Sequence, residues 1–213
     1  KIGYVPPVEE LENPNLKFAT QVISDDGVTM GTYSYSTENR IYVGYEDLSP
    51  HLVKALIATE DERFAEHSGI DARALMRAIV KRGILMQKNA GGGSTITQQL
   101  AKQFYSEQAG SFWERLMQKP IEWVIAVQLE RYYTKEEILE LYLNMIYLGQ
   151  SCRGVRSAAA TYFGKELEML TTAECASLIS ITNSPTYYDP YQNFDNNKER
   201  KEDVLWAMKD YGW

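Results

Sequence analysis

The spacing of apolar residues is helical over most of the chain that follows residue 46. Ser49-Pro50 is typical of a helix start, with serine as the N-cap and proline at the first helical position. Four residues then recur at intervals of four, which places them on one face of this helix: Leu52, Leu56, Glu60 and Phe64. A glutamate on an apolar face would be partly desolvated, so the pattern marks Glu60 as a candidate proton acceptor.

Capping boxes predict where three further helices begin, because the side chains at the first and fourth positions bind each other's backbone N–H groups. These boxes are Thr95 with Gln98, Thr134 with Glu137, and Thr171 with Glu174. Pro120 is expected to open or kink another helix, which runs to about residue 133. That helix is apolar almost all round, which predicts burial in the core.

The start of the chain has a different pattern. Residues 17–45 alternate in the manner of strands, and Asp25-Asp26-Gly27 is a plausible hairpin turn between the first two. Ile41, Val43 and Tyr45 alternate as a further short strand.

Helical patterns return at residues 71–86 and 198–210. The prediction is therefore a mostly α fold with a small N-terminal β element.

Composition narrows the class of protein. The formal net charge is −7, which argues against nucleic acid as the main ligand. Two cysteines, Cys152 and Cys175, do not make a disulfide framework, and we expect both to be free thiols. No run of 18 apolar residues is present to span a bilayer. Because the first residue is not Met, we expect a piece of a longer protein, with an anchor upstream and room for another domain beyond Trp213.

Residues 60–69 carry the first group of chemically suggestive side chains. Glu60 and Asp61 are adjacent carboxylates, and His67 and Gly69 follow. An ordinary helix end, with Gly69 near its C-cap, would explain the same residues. The apolar neighbours of Glu60 favour a functional carboxylate, since a surface glutamate has no reason to lie between them.

Residues 92–103 carry the second group. Glycines lead into a helix N-terminus that offers unpaired N–H groups and hydroxyls, a ready anion site, and Lys102 adds positive charge two turns later. The glycines are not followed by the Gly-Lys-Ser/Thr of a Walker A loop. An ordinary capped helix after a mobile loop is the alternative.

Two basic clusters complete the candidates. Arg115 and Lys119 precede Glu122 at the expected first turn of the helix near Pro120, where Glu122 would complement the helix dipole. Residues 71–87 mix apolar and basic side chains, which suits either a helix resting on an anionic surface or core packing with a solvated basic face.

In order along the chain, these segments resemble the peptidoglycan glycosyltransferase family, glycosyltransferase family 51, of class A penicillin-binding proteins and monofunctional transglycosylases. Five motifs in residues 20–190 carry the resemblance: Glu60-Asp61-x-x-Phe64-x-x-His67-x-Gly69, Gly92-x-Ser94-Thr95-Ile96-Thr97-Gln98-Gln99-Leu100-x-Lys102, Lys119-x-x-Glu122, Ile138-Leu139-Glu140-x-Tyr142-Leu143-Asn144, and Gly154-Val155-x-x-Ala158-Ala159-x-x-Tyr162-Phe163-Gly164-Lys165. Two positions depart from the usual pattern, Gln103 in place of Asn and Gln118 in place of Arg. Arg115, one helical turn before Gln118, is a hypothetical substitute for the missing guanidinium.

The resemblance implies a lysozyme-like, two-lobed helical fold. Residues 46–190 would form the glycosyltransferase catalytic domain, with a membrane-facing jaw at about 71–90. Residues 1–45 would be an N-terminal segment with a short β-hairpin, and residues 191–213 a C-terminal helix or the start of a linker.

The resemblance also implies a reaction. Lipid II would be polymerised into β-1,4-linked glycan strands, with inversion at C1 and release of undecaprenyl pyrophosphate. Glu60 would be the base, and Glu122 and Asp61 the other catalytic carboxylates. Substrate binding would fall to Ser94, Thr95, Gln98, Gln99, Lys102, Arg115 and Lys119.

The implied partners are lipid II, the growing glycan chain and the membrane surface, with no nucleic acid and with a transpeptidase domain as an optional C-terminal neighbour. The implied location is the outer face of the bacterial cytoplasmic membrane. No cofactor is required by this chemistry, Mg²⁺ is optional, and no metal ligand set is visible in the sequence. Two rival functions stay open: a lysozyme-like glycoside hydrolase, which also uses paired carboxylates, and a non-catalytic lipid II-binding module.

Overall fold

A computed structural model describes residues 20–23, 29–33, 42–80, 93–105 and 112–213, with the backbone alone at residues 20–23, 29–33, 105 and 112–116. The strands in these ranges are β1 (Thr20–Ile23) and β2 (Thr29–Tyr33). The α-helices in them are α1 (Pro50–Glu60), α2 (Ala72–Ile79), α3 (Ile96–Tyr105), α4 (Phe112–Tyr132), α5 (Lys135–Met145), α6 (Val155–Phe163), α7 (Thr172–Asn183) and α8 (Phe194–Asp210). Short 3₁₀ turns occupy Tyr45–Asp47, Phe64–Glu66 and Leu167–Met169.

The predicted fold class is confirmed, since helices dominate and the strands lie near the start of the chain. β1 and β2 are antiparallel and pair Thr20 with Tyr33 and Val22 with Gly31. The predicted turn at residues 25–27, the first 19 residues and the part of the predicted jaw from 81 to 90 lie outside the described residues. The predicted domain boundaries remain a prediction.

The third predicted strand is wrong for the residues described, 42–45. Val43 is buried, but its backbone pairs with a side chain instead of a strand. Asn144 accepts a hydrogen bond from Val43 N (2.8 Å) and donates one to Val43 O (2.7 Å). One buried amide thus satisfies both backbone groups that a neighbouring strand would otherwise bind.

Contacts between residues divide the chain into two compact units. The first contains Glu60–Ile138, and the second contains Leu16–Thr59 with Leu139–Trp213. In the first unit α3 packs on α4. The buried contact residues recur at intervals of four on each helix, as expected for helices that each bury one face: Ile96 and Leu100 on α3, Ile125 and Leu129 on α4.

Helix α4 corrects two predictions. It begins at Phe112, so Pro120 lies inside the helix and does not open it, while the alternative that Pro120 kinks the helix stays a prediction. Val124 is 48% exposed, so the helix is not buried all round. Glu122 consequently lies in the middle of α4, and the predicted dipole complementation in a first turn is wrong, because that interaction is confined to the first turn.

The second unit is built around α7, which packs between α6 and α8. Every residue of α7 from Cys175 to Ile181 is buried. The prediction of two free thiols is confirmed, and both Cys152 and Cys175 are buried. Burial raises the pKa of the Cys175 thiol, which keeps it protonated and unreactive.

All three predicted capping boxes are confirmed. The backbone N–H of Thr95 binds the side chain of Gln98 at 3.3 Å, with the reciprocal bond at 3.1 Å. The Thr134 box starts α5, with distances of 2.7 and 3.2 Å, and the Thr171 box starts α7. Among the described helices, none combines the length and apolar character needed to cross a bilayer.

Gly69 is expected to be irreplaceable for stability. Its φ is +91°, and a Cβ there would lie 2.7 Å from the carbonyl carbon and oxygen of Ala126 in α4. Gly69→Ala therefore combines backbone strain with a clash, and should lower the free energy of unfolding by roughly 2–4 kcal/mol in urea denaturation.

The matched control for this prediction is Gly164→Ala. Gly164 has a φ of +62° but no atom within 4 Å of an added Cβ, so only the backbone strain should appear, about 1 kcal/mol. Equal losses for the two variants would show that the close approach to α4 is unimportant.

Candidate active site

The first unit places both candidate carboxylates at the end of α1. The helix ends at Glu60, so the prediction that Phe64 continues the same helical face is wrong. Phe64 is still buried, but it reaches the core through a 3₁₀ turn in which its N–H donates to Asp61 O at 2.9 Å. Glu60 itself is half-buried.

Asp61 is buried and anchors the start of α3. One oxygen, Oδ2, accepts from the N–H of Ile96, the first residue of α3, at 3.0 Å. His67 Nε2 lies 2.9 and 3.0 Å from the two carboxylate oxygens, and donates to them when Asp61 is ionised. The aspartate side chain therefore links the residue after α1 to the first residue of α3 and to His67.

Thr95, the residue before α3, makes side-chain hydrogen bonds to two different segments. Thr95 is buried, and its hydroxyl donates to Gly69 O at 2.7 Å while accepting from Gln98 N. Gln98 is also buried and closes the capping box. These two predicted substrate-binding side chains therefore have structural partners in the residues described.

Glu60 contacts the same helix three residues further along the chain. Gln99 Nε2 donates to Glu60 Oε2 at 3.0 Å. Adjacent carboxylates thus bind α3 at two points, Asp61 at the first N–H and Glu60 at the side chain three residues later. Because both points lie on the first turn, the orientation of Glu60 depends on where α3 begins.

A cation and a buried carboxylate lie close to Ser94, two residues before α3. Lys119 Nζ donates to Glu122 Oε2 at 2.8 Å and lies 3.5 Å from Ser94 Oγ. Glu122 is only 3% exposed, whereas the side chain of Lys119 is 44% exposed. The ammonium is therefore fixed by Glu122 and still open to an anionic ligand.

The two other predicted cations are Lys102 and Arg115. Lys102 is exposed on α3, one turn beyond Gln98 and Gln99. Arg115 lies in α4, one turn before Lys119, but its side chain is outside the described residues. Its proposed replacement of the family's arginine therefore stays a hypothesis.

The segment that follows the candidate carboxylates has its own ion pair. Asp71 caps α2 by accepting from Ala74 N at 3.0 Å, and Arg63 donates to both of its carboxylate oxygens. Burial opposes ionisation of Asp71, but the Arg63 and backbone hydrogen bonds outweigh it and hold the pKa of that carboxyl below its usual value. This pair holds α2 to the segment after Asp61.

Two polar residues of the site were not predicted. Glu130 on α4 is nearly buried and binds both Thr97 and Lys135. Lys135 is the first residue of α5, where the helix dipole disfavours a cation. That unfavourable position, five residues after a glutamate on an apolar helix, was the sequence signal that could have drawn attention to the pair.

In the arrangement described, a half-buried carboxylate binds the side-chain amide of Gln99 on the first turn of α3, and the Lys119 ammonium lies beside the Ser94 hydroxyl, two residues before that helix. A carboxylate of this kind can take a proton from a nucleophile, and positive and N–H donors can stabilise an anionic leaving group. Residues 26–209 match the family described as transglycosylase, and the chain belongs to that family.

Individual relatives agree with the family match. The chain is 39% identical over 198 residues to penicillin-binding protein 1F of Bacillus subtilis, and 38% identical over 209 residues to penicillin-binding protein 1A of Escherichia coli. These alignments cover 93% and 98% of the chain, but the chain spans only about a quarter of each relative, 27% and 24%. The crystal structure of penicillin-binding protein 1A from Haemophilus influenzae aligns with 91% of the chain and 18% of its own length, at 25% identity and a TM-score of 0.46. The family assignment rests on the sequence matches.

Proposed function

We propose that this chain is a peptidoglycan glycosyltransferase that polymerises lipid II into β-1,4-linked glycan strands. The proposal is supported above all by one feature of the first unit: Gln99 joins Glu60 to the helix whose start lies beside Lys119 and Glu122. The proton acceptor contacts the first turn of α3, and the cationic site lies beside the residue two positions before that turn. Membership of the transglycosylase family supports the same reaction class.

In the proposed reaction, the 4-hydroxyl of the acceptor GlcNAc attacks C1 of the donor MurNAc. Glu60 takes the hydroxyl proton as the new C–O bond forms, because an alcohol is too weak a nucleophile without a base. The bond from C1 to the phosphate oxygen breaks on the opposite face, so the anomeric centre inverts from α to β. Undecaprenyl pyrophosphate leaves with the bonding electron pair.

The leaving pyrophosphate gains negative charge in the transition state. Lys119 is the cation best placed to stabilise that charge, since Glu122 orients it and Ser94 lies beside it. Lys102 and Arg115 would add longer-range positive charge, and Thr95 and Gln98 would act by fixing the helix start. Asp61 would act by holding α3 in place for Gln99 and Glu60.

The decisive experiment is incubation of the protein with lipid II, followed by separation of the glycan products by length. Longer glycans support the proposal. Release of muropeptides from sacculi would instead indicate a glycoside hydrolase. Lipid II binding without any product would indicate a non-catalytic binding module.

Lys102→Ala is expected to weaken turnover of lipid II by roughly tenfold, through a raised KM. The effect should be smaller than for a buried donor, because Lys102 is exposed and its charge is screened by solvent. Steady-state polymerisation kinetics measure this change. Lys198→Ala, which removes an exposed lysine from α8, is the control, and equal kinetics for the two variants would remove Lys102 from the phosphate site.

The cellular setting is proposed on the same basis. The enzyme would act at the outer face of the bacterial cytoplasmic membrane, with lipid II, the growing glycan chain and the membrane surface as partners. A transpeptidase domain is proposed to follow in the full-length protein. We propose that no cofactor is required and that Mg²⁺ can associate with the pyrophosphate, so polymerisation should persist in the presence of a chelator.

A further inference from the structure

The first turn of α3 is pinned by two buried carboxylates at consecutive residues. Ile96 N donates to Asp61 at 3.0 Å, and the hydroxyl of Thr97 donates to Glu130 at 2.6 Å. Asp61 comes from the end of α1 and Glu130 from α4. The two anchors therefore hold the helix start from different parts of the first unit.

The two anchors are themselves joined through His67. Its ring binds Asp61 through Nε2, and its backbone carbonyl accepts from Lys135 Nζ at 2.7 Å. Lys135 Nζ also donates to Glu130 at 2.7 Å. The contacts thus form a closed ring, which we call the α3 ring: from Ile96 to Asp61, His67, Lys135, Glu130, Thr97 and back to Ile96.

Most of the α3 ring is shielded from water. The side chains of Asp61, His67 and Glu130 are 4, 6 and 5% exposed, and Thr97 is fully buried. Water cannot readily replace a bond that is broken in such a ring, so each buried partner depends on the others. His67 Nδ1 is buried without a hydrogen-bond partner in the part of the chain described. The imidazole of His67 is therefore held by the bond between its Nε2 and Asp61.

The position of Lys135 at the start of α5 is explained by its contacts in the α3 ring. A cation at the first residue of α5 is disfavoured by the helix dipole. Its ammonium is instead stabilised by Glu130, by the carbonyl of His67 and by the face of Phe64, whose ring centroid is 4.2 Å away. The lysine therefore serves the α3 ring and not its own helix.

We propose that Lys135 and His67 are positioning residues, which close the α3 ring and thereby hold Gln99 in the orientation that binds Glu60. Gln99 is two residues beyond Thr97, so a shift of the first turn moves its amide away from the carboxylate. Misplacement of a reacting group by about 1 Å can cost up to about a hundredfold in rate. The inference rests on the proposed function, because its effect is read as lipid II polymerisation.

The primary test is Lys135→Met in the full-length protein, which removes both hydrogen bonds but keeps an apolar stem against Phe64. We expect kcat for polymerisation to fall by about tenfold or more, with KM for lipid II changed by less than about threefold. In a Gln99→Ala background the same substitution should lower kcat by less than about twofold, because both changes release Glu60 from α3.

Arg63→Gln is the matched control. It breaks a different ion pair in the same segment, that with Asp71, and leaves the α3 ring intact. Its kcat should stay within about twofold of wild type even if the melting temperature falls. If kcat follows melting temperature in both variants, or if the effects of Lys135→Met and Gln99→Ala multiply, the positioning role is overturned.

A second variant covers the case in which Lys135→Met does not fold. Thr97→Val keeps the shape of the side chain, opens the α3 ring at another point and leaves the Lys135–Glu130 pair in place. It should reproduce the fall in kcat, and an unchanged kcat would contradict the inference.

Hydrogen exchange separates this inference from the proposed function. The amides of residues 96–99 should exchange faster in Thr97→Val and Lys135→Met than in Arg63→Gln. Equal exchange in all three would overturn the inference whether or not the wild type polymerises lipid II. A wild-type protein that makes no glycan would overturn the proposed function alone.

Discussion

Glu60→Gln should abolish glycan polymerisation, with a loss of roughly a thousandfold in kcat. The substitution keeps the size of the side chain and leaves an amide oxygen that can still accept from Gln99. The substitution removes the carboxylate charge and with it the capacity to accept a proton. Polymerisation of lipid II measures the loss, and the melting temperature should stay close to that of the wild type.

Glu62→Gln is the matched control for this variant. It removes the same charge two residues later from an exposed side chain, which forms an ion pair with Arg77 at 3.9 Å. It should polymerise lipid II as the wild type does. Retained activity in Glu60→Gln would take residue 60 out of the base role, and equal losses in both variants would show that the effect is one of overall charge.

Lys119→Met should have the second largest effect, a loss of about a hundredfold in kcat. An ammonium that stabilises charge developing on a leaving group acts in the transition state, so its removal lowers kcat more than it raises KM. The variant should also be less stable, because Glu122 is 3% exposed and would lose its ion pair with Lys119. Steady-state kinetics and urea unfolding measure the two losses.

The double variant Lys119→Met/Glu122→Gln separates the two losses. Neutralising Glu122 removes the buried charge that paired with Lys119 and should restore much of the stability, while kcat stays low. Recovery of kcat together with stability would mean that Lys119 only maintains the fold. Lys209→Met, on the exposed face of α8, serves as the surface control and should behave as the wild type.

Local sequence signals predicted the helix starts well. Thr95 with Gln98, Thr134 with Glu137 and Thr171 with Glu174 each form the predicted capping box. A capping box involves residues only three apart, so its geometry is set by the sequence nearby. The same locality explains why the starts at Pro50 and Thr172 were predictable.

Predictions that needed long-range contacts were less reliable. The strand expected around Val43 is replaced by hydrogen bonds to Asn144, about a hundred residues away in the chain. The helix expected to continue through Phe64 ends at Glu60, where Asp61 binds Ile96 in a different helix. In both cases a hydrogen bond to a residue far along the chain is present where the local pattern was wrong.

Part of the candidate site was likewise predictable from the sequence, and part was not. Sequence motifs identified Glu60, Asp61, Lys119 and Glu122 as the residues to consider, and the structure brings these four to the start of α3. The roles assigned to them stay predictions for the experiments above. Glu130 and Lys135 were missed because only an unfavourable position for a cation at the start of α5 marks them, and their contacts with Thr97 and His67 are far apart in the chain.

The sequence by itself determined the class of fold, the helix starts with capping boxes and the family, because periodicity, capping and ordered motifs are properties of neighbouring residues. Only the tertiary structure decided where α1 ends and how Glu60 is held. It also decided that Asp61, His67, Lys135, Glu130 and Thr97 close one ring. These features depend on buried polar groups finding partners far along the chain, and burial of those groups requires the packed fold.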